Sequence, residues 1–146
     1  MVGPRRRFKT ADVAQQLVGG FLLAGPFVVT AEVWQLANNM RWYHVLATVG
    51  IVFGIGYGAL YKADAGRDPD REVEIAGVPT RFVSLMAVSF GSVLVLALAF
   101  NAPNTFAGDF LQDAPDPTTL AFFTLKATAV GAIFSVVGAA TADSVF

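Results

Sequence analysis

Four long stretches of this chain carry almost no charge, and no other feature limits its fold as strongly. Val13 to Ala31, Trp42 to Tyr61 and Phe82 to Phe100 hold no Asp, Glu, Lys or Arg, and Thr118 to Ala142 holds only Lys126. A hydrocarbon layer of about 30 Å, crossed at about 1.5 Å per residue, asks for roughly 20 mostly apolar residues. Each stretch meets that length, and each is too long and too uniformly apolar for an ordinary strand. With the first helix continued to Leu36, spans are expected at 13–36, 42–61, 82–100 and 118–142. The expected fold is an all-α, four-transmembrane-helix bundle, one transmembrane domain over residues 1–146.

Composition agrees. Hydrophobic residues make up 55% of the chain and charged residues 14%, against about a quarter charged in soluble domains. So few charges would leave a water-facing surface uncovered, so membrane lipid is the expected partner. The net charge of −1 argues against nucleic acid. With no cysteine and a single histidine, the chain has no thiol chemistry, no Cys-ligated metal and no His pair. No metal and no cofactor is expected.

The basic run Arg5-Arg6-Arg7-Phe8-Lys9 precedes the first apolar stretch, as in a secretory signal. That stretch exceeds the roughly 7–15 residues of a signal core, and Glu32, Trp34 and Gln35 follow it rather than a small-x-small cleavage site. It is expected to be retained as the first span.

Between spans, Ala37 to Arg41 has the Asn38-Asn39 of a tight turn. Residues 62–81 form a polar loop broken by Gly66, Pro69, Gly77 and Pro79. Residues 101–117 form another, with Pro103, Gly108, Pro115 and Pro117; Asp116 or Thr118 is placed to cap the helix that follows.

Lys and Arg stay on the cytoplasmic side during insertion. Arg5, Arg6, Arg7 and Lys9 lie before the first span, and Lys62, Arg67, Arg71 and Arg81 lie in the second loop. Against these eight, the first loop has only Arg41, and the third loop and the C-terminal tail have none. The expected topology is therefore multi-pass in the cell membrane with both termini and loop 62–81 cytoplasmic, and loop 101–117 outside. Trp34, Trp42 and Tyr43 mark the outer interface and Tyr61 the inner one.

Lipid tails are as apolar as leucine, so helices associate in membranes through close backbone approach at small residues. The second span has Gly50, Gly54 and Gly58 at four-residue spacing, with Gly56 between them; the fourth has Ala127, Gly131, Ser135 and Ala139. The third adds Ala87 and Gly91. The first has Gly20 and Ala24, then Gly25-Pro26, which should kink it. These stripes serve either packing within the chain or a homo-oligomer interface. Val49-Gly50-Ile51-Val52-Phe53 also matches Val130-Gly131-Ala132-Ile133-Phe134, which hints at a weak two-helix parallel repeat.

A charge in hydrocarbon is costly and should have a partner or a task. Glu32, His44 and Lys126 all fall in the expected outer leaflet. Two readings are open. Lys126 snorkels to the headgroups while Glu32 faces interfacial water, or the two pair across a water-filled vestibule with His44 as a pH-sensitive neighbour. At the other end Asp12, Gln15 and Gln16 begin the first span. Asp12 suits a helix N-terminus, whereas Asp143 near a C-terminus opposes the dipole. Loop acids Asp64, Asp68 and Asp70 lack the spacing of a calcium loop. No catalytic constellation is present in the sequence, so an enzyme is not expected.

Three segments carry a resemblance: Gln15-Gln16-Leu17-Val18-Gly19-Gly20-Phe21-Leu22-Leu23-Ala24-Gly25-Pro26, Tyr57-Gly58-Ala59-Leu60-Tyr61-Lys62-Ala63-Asp64, and Val130 through Ala140. They resemble a family of small integral membrane proteins in haloarchaea, within a wider prokaryotic group defined as a conserved membrane domain. The resemblance implies a membrane protein of a halophilic archaeon, and it implies no substrate and no site residues. Acid-rich, Lys-poor loops such as 64–74 suit a salt-rich cytoplasm, where charge repulsion is screened, although an ordinary solvated loop reads the same way. For function, the first expectation is a helix-packing, oligomer-forming membrane component or accessory subunit. The alternative is a channel or transporter for an unidentified ion or small solute, with Glu32, His44 and Lys126 at its outer-leaflet site.

Overall fold

A computed structural model of the chain describes residues 8–62, 74–75, 77–111 and 114–145. Among these residues the fold is built from six α-helices: α1 (Thr10–Val28), α2 (Ala31–Asn39), α3 (Trp42–Tyr57), α4 (Thr80–Ala99), α5 (Ala102–Phe110) and α6 (Pro117–Val145). A π-helical turn, Gly58–Lys62, extends α3. A two-stranded antiparallel hairpin, β1 (Glu74–Ile75) and β2 (Val78–Pro79), leads into α4, with Gly77 at φ +84° in its turn. Four helices are long and apolar enough to cross a membrane: Thr10–Val28, Trp42–Tyr61, Thr80–Ala99 and Pro117–Val145.

The first span ends earlier than its sequence suggests, at Val28 rather than Leu36. Pro26 has no N–H to continue the helical ladder. Two residues later the chain leaves the helix, and the Thr30 hydroxyl bonds the Pro26 carbonyl at 2.5 Å. α2 then starts afresh. The Trp34 indole N–H donates to the Val28 carbonyl at 2.8 Å, one of the carbonyls a helix end leaves without a partner. The expected kink is therefore a full break held by one tryptophan. Because α2 runs to Asn39, only Met40 and Arg41 remain of the expected turn at 37–41.

The third connection also differs from expectation. Residues 101–117 contain α5, entered through Asn101 in a left-handed conformation (φ 56°). Asn tolerates that conformation better than most residues. The Asn101 carbonyl accepts both the N–H and the hydroxyl of Thr105, at 3.2 and 2.8 Å. In the second connection the hairpin replaces plain loop, and Thr80 and Arg81 already belong to α4. The expected cap at α6 is present: Asp116 Oδ1 accepts the Thr119 N–H at 2.7 Å, with Pro117 in the first helical position. Helix α1 starts with the converse bond, the Lys9 N–H before the helix donating to Asp12 Oδ2 within its first turn at 2.8 Å.

The bundle is organised around α6, which lies against α1, α4, α3 and α2. Small residues set the distances. A Cβ at Gly138 would overlap the carbonyl oxygen of Gly19, and one at Gly19 would overlap that of Gly138. A Cβ on Gly131 would lie 2.7 Å from Val93 Cγ1, and one on Gly56 would lie 2.5 Å from Met86 Cε. Ser135 joins three helices: its hydroxyl meets that of Ser92 at 2.7 Å and donates to the Gly20 carbonyl at 3.2 Å. Ala139 is fully buried beside it on the same ladder. Two apolar clusters fill the rest. One gathers Val28, Trp34, Val93 and Phe123; the other gathers Leu60, Leu85, Met86 and Val136.

Candidate functional site

Polar side chains are buried at both ends of the bundle, and they define its two candidate sites. At one end, α1, α4 and α6 each contribute. Arg81, in the first turn of α4, is 2% exposed, Asp143 near the end of α6 is 4% exposed, and Gln16 on α1 is fully enclosed. The Arg81 guanidinium meets Asp143 Oδ1 through Nη1 at 2.6 Å and Asp12 Oδ2 through Nη2 at 3.4 Å. Gln16 Nε2 donates to Asp143 Oδ2 at 3.1 Å and, more weakly, to the Arg81 carbonyl at 3.5 Å. Its Oε1 accepts the Ser84 hydroxyl at 2.7 Å. The Phe8 ring lies 5.1 Å from the guanidinium carbon.

The chemistry of this cluster follows from its satisfied valences. A buried charge pair repays its desolvation only when further hydrogen bonds meet the remaining lone pairs and protons. Asp143 has the guanidinium on one oxygen and the Gln16 amide on the other. Its place at a helix C-terminus, unfavourable by dipole alone, is compensated by Arg81. The three helices are thereby tied at one level.

Sequence reasoning placed Arg81 in a loop and so missed this partner. A signal was available: an acid at the end of one apolar stretch calls for a cation, and Arg81 directly precedes another. At the same end, Gln15 Oε1 and Thr80 Oγ1 are buried with no hydrogen-bond partner among the described residues.

At the opposite end Lys126 is 9% exposed. Its ammonium donates to the Met40 carbonyl at 3.0 Å and lies 4.8 Å from the centre of the Phe122 ring. Met40 is the residue that ends α2. The cation thus sits at a helix C-terminus, where unsatisfied carbonyls carry partial negative charge. No ion pair joins Lys126 to Glu32, whose side chain is exposed in the first turn of α2. His44 is exposed too, and its Nδ1 accepts the Arg41 N–H at 2.9 Å, capping the start of α3. The three residues grouped by depth in the sequence therefore have separate partners or face outward. Lys126 could not be matched to Met40 from sequence, because most of α2 was read as part of the first span and Met40 as part of a turn, not as a helix end.

The small-residue stripes divide sharply. Gly131, Ser135 and Ala139 of α6 are buried in contacts, whereas Gly50 and Gly54 of α3 and Gly58 of the π-helical turn that extends it have nothing among the described residues within 4 Å of a Cβ added there. Among the described residues, no group of three or more His, Asp or Glu side chains is placed to hold a metal ion. Asp64, Asp68 and Asp70 lie outside the described residues, as do most of the basic residues used for orientation. Comparisons with protein-family models, with curated proteins and with solved structures find no significant match to this chain.

Proposed function

We propose that this chain is a four-span component of the cell membrane that associates with a second copy of itself through the open glycine face of α3. The contrast among its glycines carries the reading. Gly19, Gly20, Gly56, Gly131 and Gly138 each face a neighbour closer than a side chain allows without displacement, while among the described residues Gly50, Gly54 and Gly58 face nothing, as do the isolated Gly91 of α4 and Gly108 of α5. Glycine costs about 1 kcal/mol relative to alanine in a helix interior. Three at one-turn spacing, unused within the chain, suit a helix that packs closely against another chain. Cysteine substituted at Gly54, in a chain without cysteines, tests this in liposomes. Oxidation should give a cross-linked dimer at high lipid excess, and a population of monomers under those conditions would refute the association.

For topology we infer that both termini and the 62–81 segment are cytoplasmic. The basic residues before α1 and in that segment support this, and so does the meeting of Asp12, Arg81 and Asp143 at one end of the bundle. External thiol reagents should reach cysteines at Asn38 and Asp113 and spare one at Gly66; the reverse pattern would invert the orientation. The order long–short–long occurs twice, α1–α2–α3 and α4–α5–α6, with nine-residue helices in the middle each time. That order supports a parallel internal repeat.

A second reading, passage of an ion or small solute, draws on the buried polar groups at the two ends. Flux across protein-containing liposomes that is lost in Lys126→Met would favour it over a purely assembling role.

A further inference from the structure

A cleft of about 450 Å³ opens between the last turns of α4 and the first turns of α6, beneath α5. Its size falls within the roughly 300–1,000 Å³ typical of ligand sites. The walls are Leu94 and Leu98 on one side and Leu120, Ala121 and Leu125 on the other, with Pro103 of α5 above. The one hydroxyl in the wall, Thr124, already donates to the Leu120 carbonyl at 2.8 Å. Asn101 and Asn104 stand at the mouth, both exposed, with the Asn104 amide donating to Asn101 Oδ1 at 2.7 Å.

The fold explains why the cleft exists. Gly131 lets α4 and α6 touch at Val93. Towards this end the chain between the two helices is taken up by α5, whose left-handed entry at Asn101 places Pro103 over the gap. The Thr124 hydroxyl has no proton left to donate into the interior, the rest of the wall is mostly apolar, and an apolar cavity holds water poorly. Leu98 and Leu125, each more than half exposed, flank the opening. Both belong to helices long and apolar enough to span a bilayer, and in a bilayer the side of the cleft between them would face hydrocarbon rather than water.

We propose that this cleft holds one hydrocarbon chain of a bilayer lipid, with the polar end of that lipid at the Asn101 and Asn104 amides. The apolar wall selects a hydrocarbon tail over a polar solute. The amides at the helix ends place the mouth at the level of the headgroups. The inference rests on the chain spanning a bilayer and is independent of any association through α3.

Liposomes containing phosphatidylcholine with a photoreactive diazirine on its acyl chain provide the test. After irradiation, adducts mapped by mass spectrometry should fall on Leu94 and Leu120, which are only partly exposed, several-fold more often than on Val18 and Leu22 of α1, which are open to lipid. Ala121→Trp should fill the cleft and abolish adducts at Leu94 and Leu120 while leaving Val18 and Leu22 labelled as before. Adducts that follow exposure alone in the wild-type protein would overturn the proposal, whether or not the Trp variant folds. So would labelling of Leu94 and Leu120 by a water-soluble diazirine in preference to the lipid probe.

Discussion

Helices α3 and α6 carry the same device and use it differently. Each has small residues repeating every four positions, and each spans the full depth of the bundle. On α6 the ladder is filled: Gly131 receives Val93, Ser135 bonds α1 and α4, and Gly138 meets the backbone of Gly19. On α3 the equivalent ladder is empty, and only the off-ladder Gly56 is in contact, with Met86, Leu85 and Val136. A small-residue period in a membrane helix therefore marks a face suited to close approach without saying who approaches. The answer depends on the neighbouring side chains, which the period does not contain.

The difference between the helices can be pushed at both ends of α6 and along both ladders. The largest effect is expected where α6 is tied by charge. Arg81→Met takes the guanidinium away from the buried Asp143 carboxylate, and should cost about 3–5 kcal/mol in unfolding from mixed micelles. Adding Asp143→Asn should restore part of the loss, and equal damage from the single and double variants would show that the pair does not hold α6.

Next comes the filled ladder. Gly131→Leu drives a side chain into Val93 and should cost about 1–3 kcal/mol in the same assay. A neutral result would mean that α4 and α6 are not in close contact. Lys126→Met should cost about 1.5 kcal/mol, through loss of a charged hydrogen bond to the end of α2. Glu32→Gln should add to it independently, within about 0.5 kcal/mol; a larger coupling would revive the direct ion pair.

On the empty ladder, Gly54→Leu should leave the unfolding free energy of the isolated chain unchanged or raise it by up to about 1 kcal/mol, since leucine favours a helix over glycine. It should also reduce cross-linking through a cysteine at Gly58. A strong loss of stability without any change in cross-linking would assign the stripe to intrachain packing and remove the contrast.

The smallest effect concerns the start of α6. The hydrogen bonds from Thr119 hold the Asp116 carboxyl below its usual range. A depressed carboxylate stabilises the fold above its unfolded pKa, and that contribution fades as pH falls through the lower, folded value. Asp116→Ala should therefore differ from wild type at neutral pH and converge with it in acid. A difference constant with pH would exclude the charged cap.

Much of this architecture was legible because bilayer thickness and charge avoidance act on long windows. The spans from Trp42 to Tyr61 and from Phe82 to Phe100 lie close to their helices, and the cap at Asp116 follows from local hydrogen bonding. What escaped was what depends on tertiary neighbours. Residues Ala31 to Leu36 of α2 read as a continuation of α1 and its last three as a turn, since Trp34 reveals its purpose only when its indole meets Val28. The helix α5 hid in a segment rich in Pro and Asn, with too few apolar residues to signal a period. Arg81 read as a topogenic charge because its partner lies 62 residues away. Lys126, by contrast, stood out at once as a charge within a span, although its acceptor is a backbone carbonyl and no sequence pattern marks one.

The position of α6 in the chain sets an order of events during synthesis. It is the helix against which the other spans pack, yet the ribosome makes it after all of them. Until it enters the bilayer, Gly19 of α1 has no Gly138 backbone to meet, Val93 of α4 has no Gly131, and Arg81 has no Asp143. The earlier spans must therefore wait in the membrane with the contacts of α4 to α1 and α3 made but those of α6 missing, exposed to quality-control proteases. Protection from proteolysis should arrive in one late step, when residues 117–145 leave the ribosome, rather than span by span.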